Sequence, residues 1–126
     1  MLPAQARLRR RPEFTAVVRS GRRAGRPTMV LHFLPERPEQ PTGDTSSPEA
    51  ARAGFVVGKG VGNSVVRHRV TRRLREVVRA ELDRLPAGAD LVVRARPEAA
   101  EAPFAVLHRD LSAGLDRLLG DRARAR

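Results

Sequence analysis

The sequence contains no cysteine, tryptophan or tyrosine, and it has only four phenylalanines. The lack of cysteine excludes disulfides, cysteine-ligated zinc and thiol nucleophiles, which fits a cytoplasmic protein. The lack of tyrosine and tryptophan leaves few rings on which a base could stack. Long apolar runs are also missing, because no segment reaches the length of a membrane span and no apolar block follows the arginine-rich start, as one would in a signal peptide.

Lysine is nearly absent as well, since Lys59 is the only lysine among 25 basic residues. Fourteen acidic residues leave a net charge of +11, which predicts a polyanionic partner, with nucleic acid the first choice and a membrane surface the second. Arginine favours planar, multidentate contacts with phosphate. A genomic bias toward GC-rich codons would produce the same excess, and both explanations stay open.

The chain of 126 residues has room for one modest core, so we predict a single domain over residues 1–126. Residues 1–10 are basic and aperiodic, which predicts an arm. Residues 35–51 hold four prolines and four acids without an apolar period, which predicts a loop between strands. Residues 120–126 form a basic tail.

The first half of the chain predicts one helix and two strands. Proline and an acid open a helix near Arg11, and Gly21 ends it, with Phe14, Val17 and Val18 at packing positions. Residues 28–34 predict a strand with Met29, Leu31 and Phe33 on one face and Val30, His32 and Leu34 on the other. Residues 52–57 predict its antiparallel partner. The loop before the first strand carries Arg22, Arg23 and Arg26, and it leaves room for one more short strand.

The second half predicts a long amphipathic helix over residues 63–85, capped by Asn63 or Ser64 and ended by residues 86–88. At 100° per residue, its apolar side chains fall within an arc of about 160°: Val66, Val70, Leu74, Val77, Val78, Leu82 and Leu85. The complementary arc is basic and holds Arg69, Arg72, Arg73, Arg75 and Arg79. A strand over residues 90–95 and a last helix over residues 103–119 follow, the latter with a recurring apolar row of Phe104, Leu107, Leu111, Leu115 and Leu118.

The basic helix face is more than an ordinary solvated face, because no acid interrupts it from Arg67 to Arg75 and solvated faces usually mix signs. The preceding turn, GKGVGN, resembles a loop that cradles phosphate at a helix start. It lacks the spacing of a Walker or dinucleotide motif. A phosphate of an RNA backbone would suit the same geometry.

No catalytic or metal-binding pattern is recognisable. His32, His68 and His108 lack the spacing of metal ligands. Glu98, Glu101 and Asp110 are typical of helix-end and surface acids. His32, on an otherwise apolar strand face, is either a partly buried, hydrogen-bonded histidine or a flat ring on which a base stacks.

The stretch from Lys59 to Arg75, KGVGNSVVRHRVTRRLR, resembles the signature K-x-x-G-N-A-V-x-R-N-R-x-K-R-x-x-R of the bacterial ribonuclease P protein family. LRRRPEFTAVVRSGRR, TMVLHFL, RAGFVV and DLVVRARP resemble further parts of that family. The resemblance implies an α+β fold of the type of the second domain of ribosomal protein S5. It comprises a small, mostly antiparallel sheet covered by helices, in the order α-β-β-β-α-β-α, with a left-handed βαβ crossover.

The resemblance also implies an accessory role in a tRNA-processing endoribonuclease. Its partners would be ribonuclease P RNA and precursor tRNA, with no membrane and no protein partner required. The RNA would supply the catalytic groups and hold Mg²⁺, so no residue of this chain is expected to be catalytic or to bind metal. The holoenzyme removes the 5′ leader.

By position in the family's motif, one group of residues would contact the RNA subunit: Lys59, Asn63, Arg67, His68, Arg69, Arg72, Arg73 and Arg75. Phe14, Val18 and His32 would line a cleft for the leader. The chain departs from the family pattern at His68, Thr71, Val18 and His32, and the changes at Val18 and His32 predict weaker base stacking in the cleft.

Two other functions compete with this one. A ribosome-associated protein would bind structured RNA without affecting processing, and only the K-x-x-G-N signature separates it from the first hypothesis. A DNA-binding protein with a recognition helix over residues 64–85 fits less well, because no short helix pair precedes that helix.

Overall fold

The computed structural model describes residues 6–8, 10–35 and 51–124. Its elements are α1 (Arg11–Ser20), β1 (Arg22–Gly25), β2 (Met29–Leu34), β3 (Arg52–Val56), α2 (Ser64–Glu81), β4 (Asp90–Ala95) and α3 (Phe104–Arg124). Short 3₁₀ turns at Leu82–Arg84 and Pro97–Ala100 flank β4. The predicted α-β-β-β-α-β-α order is confirmed. Most of the predicted loop at 35–51 lies outside the described residues, as do 125 and 126.

The four strands form one mixed sheet in the order β1-β2-β4-β3. β2 runs antiparallel to both β1 and β4, whereas β3 runs parallel to β4. The predicted antiparallel pairing of residues 28–34 with residues 52–57 is therefore wrong, because β1 and β4 occupy the two edges of β2. The chain returns from β3 to the parallel β4 through α2, as parallel strands require. The left hand of that crossover stays a prediction.

The segments before and after α1 both differ from the structure that the sequence predicts for them. Residues 22–25, predicted as loop, form β1, in line with the expected room for a short extra strand. The predicted arm is wrong at residues 6–8, where Ala6 and Leu8 are buried. The Leu8 amide donates to the Ala53 carbonyl at 2.8 Å, beside a parallel bridge between Arg7 and Ala53. These residues satisfy backbone groups on the outer edge of β3 that would otherwise be open.

The main core lies between the sheet and the pair α2 and α3. Alternate residues of β2 and β4 enter it, as the strand pattern predicts: Met29, Leu31, Phe33, Leu91 and Val93. The predicted apolar arc of α2 is confirmed, with Val70, Leu74, Val77 and Val78 buried. The helix ends at Glu81 instead of Leu85, and the following 3₁₀ turn still buries Leu85. α3 extends past the predicted end at Leu119 to Arg124.

A smaller cluster joins α1 to the opposite face of the sheet, with Leu8, Val17 and Val92 at its centre. Helix α1 starts as predicted, with Glu13 Oε1 accepting a hydrogen bond from the Arg10 amide at 3.1 Å. The Phe14 ring packs on Gly54, because a Cβ added there would lie 2.4 Å from Phe14 Cζ. A glycine at position 54 therefore lets α1 approach the sheet closely.

Two buried acids tie the elements together. Arg52 donates two hydrogen bonds to Asp90, at 3.0 and 2.9 Å, and a third to Glu13 at 2.9 Å, so it links α1, β3 and β4. Asp110 on α3 accepts from the Thr28 amide at 3.0 Å and from the Thr28 hydroxyl at 2.6 Å. The prediction that Asp110 is a surface acid is wrong, since it is 0% exposed. Asp110 fixes the start of β2 against α3.

Candidate nucleic-acid interface

The turn before α2 is built by local hydrogen bonds that leave Lys59 exposed. The Val61 amide donates to Gly58 at 3.0 Å, and the Gly62 amide donates to Lys59 at 3.1 Å. Gly62 has a φ of 157°, and a Cβ there would lie 2.8 Å from Val66 Cβ. Asn63 Oδ1 then accepts from the Val66 amide at 3.0 Å, which makes Asn63 the N-cap of α2. This cap fixes the direction in which α2 leaves the turn.

The eight residues predicted to bind the RNA subunit all lie on this turn or on α2. Lys59, Asn63, His68 and Arg72 are exposed, and Arg67, Arg69, Arg73 and Arg75 are half-buried. We call the set formed by His68, Arg69, Arg72, Arg73 and Arg75 the arginine face. Arg69 and Arg73 lie on its side toward α3, where Arg69 Nη2 donates to the Ala100 carbonyl at 3.5 Å and Arg73 Nη1 donates to the Ala102 carbonyl at 3.3 Å.

Arg67 differs from the other arginines of the motif. At 100° per residue it falls inside the apolar arc of α2, and its Nε is buried without a hydrogen-bond partner in the described part of the chain. The backbone carbonyl of Arg67 accepts from the Thr71 hydroxyl at 2.8 Å. The motif therefore splits into the arginine face and Arg67, which lies on the apolar side of α2 with its Nε buried.

The predicted leader cleft lies on the sheet face that α1 partly covers. The strand registers place Gly54, Val92, His32 and Arg23 in one row across β3, β4, β2 and β1. Phe14 lies over Gly54 at one end of the row, and exposed Arg23 lies at the other. The structure thus brings Phe14 and His32 onto one face. Val18 is 46% exposed on α1.

His32 is only 5% exposed, and its Nε2 is buried with no hydrogen-bond partner among the residues described. Of the two interpretations of His32, burial agrees with the core histidine, and the hydrogen bonding expected there is not found at Nε2 among the described residues. Burial lowers the pKa of His32 from its ordinary value of 6.5, and the nearby charges of Arg94 and Arg23 lower it further. The ring is thus kept neutral between two cations.

Sequence reasoning missed Arg23 and Arg94 as members of this face. Strand alternation places Arg94 on the same side of β4 as Val92, but only the register of β4 against β2 shows that this is the side of His32. Sequence reasoning also placed Phe104 in the apolar row of the last helix. In the structure Phe104 is 47% exposed, and it lies beside the arginine face.

The described residues contain no group of three or more histidine, aspartate or glutamate side chains that could hold a metal ion. Within the same residues, no helix is both long and apolar enough to cross a membrane.

The comparisons with known proteins decide the family. The family model Ribonuclease P matches residues 2–119. The chain belongs to the ribonuclease P protein family. A Ribonuclease P protein component from Streptomyces griseus is 54% identical over 125 residues, covering 98% of this chain and 100% of that protein. Another from Corynebacterium diphtheriae is 48% identical over 118 residues, covering 94% and 97%.

Solved structures of ribonuclease P proteins share the fold. The RNase P protein of Staphylococcus aureus aligns with a TM-score of 0.73 at 22% identity, covering 88% of this chain and 93% of that chain. The RNase P protein of Thermotoga maritima aligns with a TM-score of 0.70 at 25% identity, covering 88% and 96%. The α+β fold expected from the sequence motif is therefore confirmed.

Proposed function

We propose that this chain is the protein subunit of ribonuclease P, which binds the catalytic RNA and the 5′ leader of precursor tRNA. The observation that carries the proposal is the family match over nearly the whole chain, joined to an arginine face that follows a capped glycine turn. In this role the protein works in the cytoplasm with ribonuclease P RNA. It needs no further protein partner.

The arginine face supplies the contacts with the RNA subunit. His68 and Arg72 are exposed outside the buried arc of α2, and Arg75 lies at its edge, so these side chains can reach a phosphate backbone without disturbing the core. Lys59 adds a charge at the tip of the turn, and the Asn63 cap orients that turn relative to the helix. Multidentate guanidinium contacts to phosphate both position the protein on the RNA and make binding depend on salt.

The α1 side of the sheet supplies the contacts with the leader. The exposed Arg23 and Arg94 flank His32, so they can hold phosphates of an extended strand. The neutral, largely covered His32 ring would lie at the floor of the cleft between them. Phe14 and Val18 on α1 would form the opposing apolar wall.

The chemistry of bond cleavage is proposed to reside in the RNA, with Mg²⁺ held there to activate the attacking water. The protein contributes by binding and orienting the leader, which concentrates the scissile phosphate at the RNA's metal site.

The test is reconstitution. The purified protein is mixed with ribonuclease P RNA from the same organism and a precursor tRNA at low Mg²⁺, and 5′ processing is measured by gel electrophoresis. The protein should accelerate removal of the leader. An unchanged rate would contradict the proposal, and cleavage by the protein without added RNA would assign the chemistry to this chain instead.

A charge-matched pair of variants makes the experiment specific. Arg72→Ala removes an exposed arginine from the arginine face, and Arg117→Ala removes an exposed arginine from α3. Only the first should weaken stimulation at limiting protein. Equal effects of both variants would indicate that net charge alone accounts for binding.

A further inference from the structure

Phe104, the first residue of α3, is a large apolar side chain left at the surface. The other members of its predicted row, from Leu107 to Leu118, are buried as expected. Phe104 instead lines a shallow concavity of about 340 Å³ together with Arg69, Arg72, Arg73 and Glu76. An exposed phenyl ring among three guanidinium groups is the combination that single-stranded nucleic acid recognises, since the ring stacks on a base and the cations hold its phosphates.

Two of these arginines are held in place by the turn that leads into α3. The Arg69 and Arg73 guanidinium groups donate to the carbonyls of Ala100 and Ala102, respectively. Both groups therefore lie next to the start of α3 before any ligand arrives, which reduces the entropy lost on binding. The first turn of α3 also carries no acid. Glu76, the acid among the described lining residues, has its Oε1 3.6 Å from Arg79 Nη1, which offsets its charge.

The Phe104 ring is supported by His108, one helical turn farther along α3. The two ring centroids are 6.4 Å apart at an interplanar angle of 46°. His108 Nε2 is in turn 2.7 Å from Glu81 Oε2, and Glu81 accepts from Arg84 Nη1 at 3.0 Å. Burial acts to raise the pKa of Glu81, but the hydrogen bonds from His108 and Arg84 outweigh it and lower that pKa, so Glu81 stays ionised. The contact with His108, which is itself bound to Glu81, therefore restricts the position of the Phe104 ring.

We propose that Phe104 is the stacking platform for one unpaired nucleotide of the RNA subunit, with Arg69, Arg72 and Arg73 on the adjoining phosphates. The inference rests on the proposed function, because it adds a base-stacking site to the surface that binds the catalytic RNA. RNA is favoured over an apolar protein segment, since the concavity offers a single ring surrounded by cations. A volume of about 340 Å³ lies at the small end of the range for ligand sites, about 300–1,000 Å³, and suits one nucleotide.

The first test compares three substitutions by the affinity of the full chain for ribonuclease P RNA from the same organism. Phe104→Ala should weaken binding about tenfold, in the range expected for the loss of one stacked base. Phe104→Tyr keeps the ring and should bind within about twofold of the parent, whereas Phe104→Leu keeps apolar character without a ring and should resemble alanine. Thermal unfolding of each variant checks that the fold is retained.

A second readout uses the absence of tryptophan in the chain. Phe104→Trp introduces a single fluorophore at the platform, and stacking of a base on it should quench its emission when the RNA binds. Val56→Trp, at a partly exposed site on β3, provides the matched reporter away from the concavity. Quenching at position 104 should exceed quenching at position 56.

The outcomes separate this inference from the proposed function. Binding by Phe104→Ala or Phe104→Leu that equals the parent's, or a tryptophan at 104 that is no more quenched than one at 56, would overturn the stacking site. In either case the parent protein would still stimulate processing. Failure of the parent itself to bind the RNA would overturn both proposals.

Discussion

His32 shows how a single residue can couple folding to pH through its surroundings. It lies between Arg23 and Arg94 on a largely covered sheet face, so a proton on its ring would be desolvated and repelled by two cations. The folded chain therefore holds this proton less tightly than the unfolded chain does. Stability must fall as the pH decreases through the region below 6.5, where the unfolded chain takes up the proton first.

Replacement of His32 by glutamine removes this proton linkage. The free energy of unfolding of the parent minus that of His32→Gln should decrease as the pH is lowered from about 8 to about 5. Only the parent has the His32 ring, whose lowered pKa in the folded chain makes protonation favour unfolding. Urea denaturation at a series of pH values measures the difference, and His68→Gln controls for the loss of an exposed histidine. A difference that grows toward acid pH would show that the sign is wrong.

The residues that sequence reasoning misplaced are those whose environment is set by distant parts of the chain. Asp110 was expected at the surface because charged helix residues usually lie there. Its partner Thr28 is 82 positions away, so no local pattern reveals the hydrogen bonds that make its burial possible. Phe104 fits the apolar period of α3, but it opens the helix at a point where none of the described elements covers it fully, and it is 47% exposed.

Among the elements, α1 is joined to the sheet by a polar anchor, Arg52. The guanidinium reaches Glu13 on α1 while forming a bidentate pair with Asp90, whose side chain is 3% exposed. The close packing of Phe14 on Gly54 complements this link. The position of α1, and with it one wall of the proposed leader cleft, depends on both contacts.

Substitution of Arg52 by alanine removes the guanidinium that pairs in a bidentate manner with the buried Asp90. We expect a loss of about 3 kcal/mol in the free energy of unfolding, as for other broken buried ion pairs, measured by urea denaturation. Arg19→Ala removes an exposed arginine from α1 and serves as the control. A loss no greater than in the control would mean that the pair adds little to the position of α1.

At this scale, the sequence predicted the boundaries and faces of most elements but not the neighbours of each strand. Strand alternation placed Met29, Leu31 and Phe33 correctly on one face of β2, and the helical period placed the buried arc of α2. Neither pattern carries information about pairing. Residues 28–34 and 52–57 were predicted to pair as antiparallel neighbours, whereas β4 separates the two strands in the sheet.

For the whole molecule, the net charge of +11 is distributed unevenly over the surface. The arginine face and the Arg23–Arg94 side of the sheet are separate basic surfaces, which suits a protein that bridges two RNA segments. Several acids are engaged in intramolecular pairs instead, such as those with Arg52 and Arg84. These acids therefore do not offset the charge of the two basic surfaces.

The salt dependence of RNA binding should reflect this concentration. With about six or more phosphate contacts, a plot of log K against log salt should have a slope of about −4 or steeper, and Arg72→Ala should make that slope less steep by about 0.8. Filter binding at several salt concentrations measures both slopes. Arg117→Ala should leave the slope unchanged, and a parallel reduction in that variant would contradict a localised surface.

The strand order β1-β2-β4-β3 also determines when the sheet can be completed during synthesis. β1 and β2 can pair as soon as they leave the ribosome, but the inner edge of β3 has no strand partner until β4 follows it about forty residues later. One of the two inner strands of the sheet is thus the last strand to be made. Until then β2 and β3 each present an open edge, so the nascent chain passes through an aggregation-prone interval that only the arrival of β4 closes.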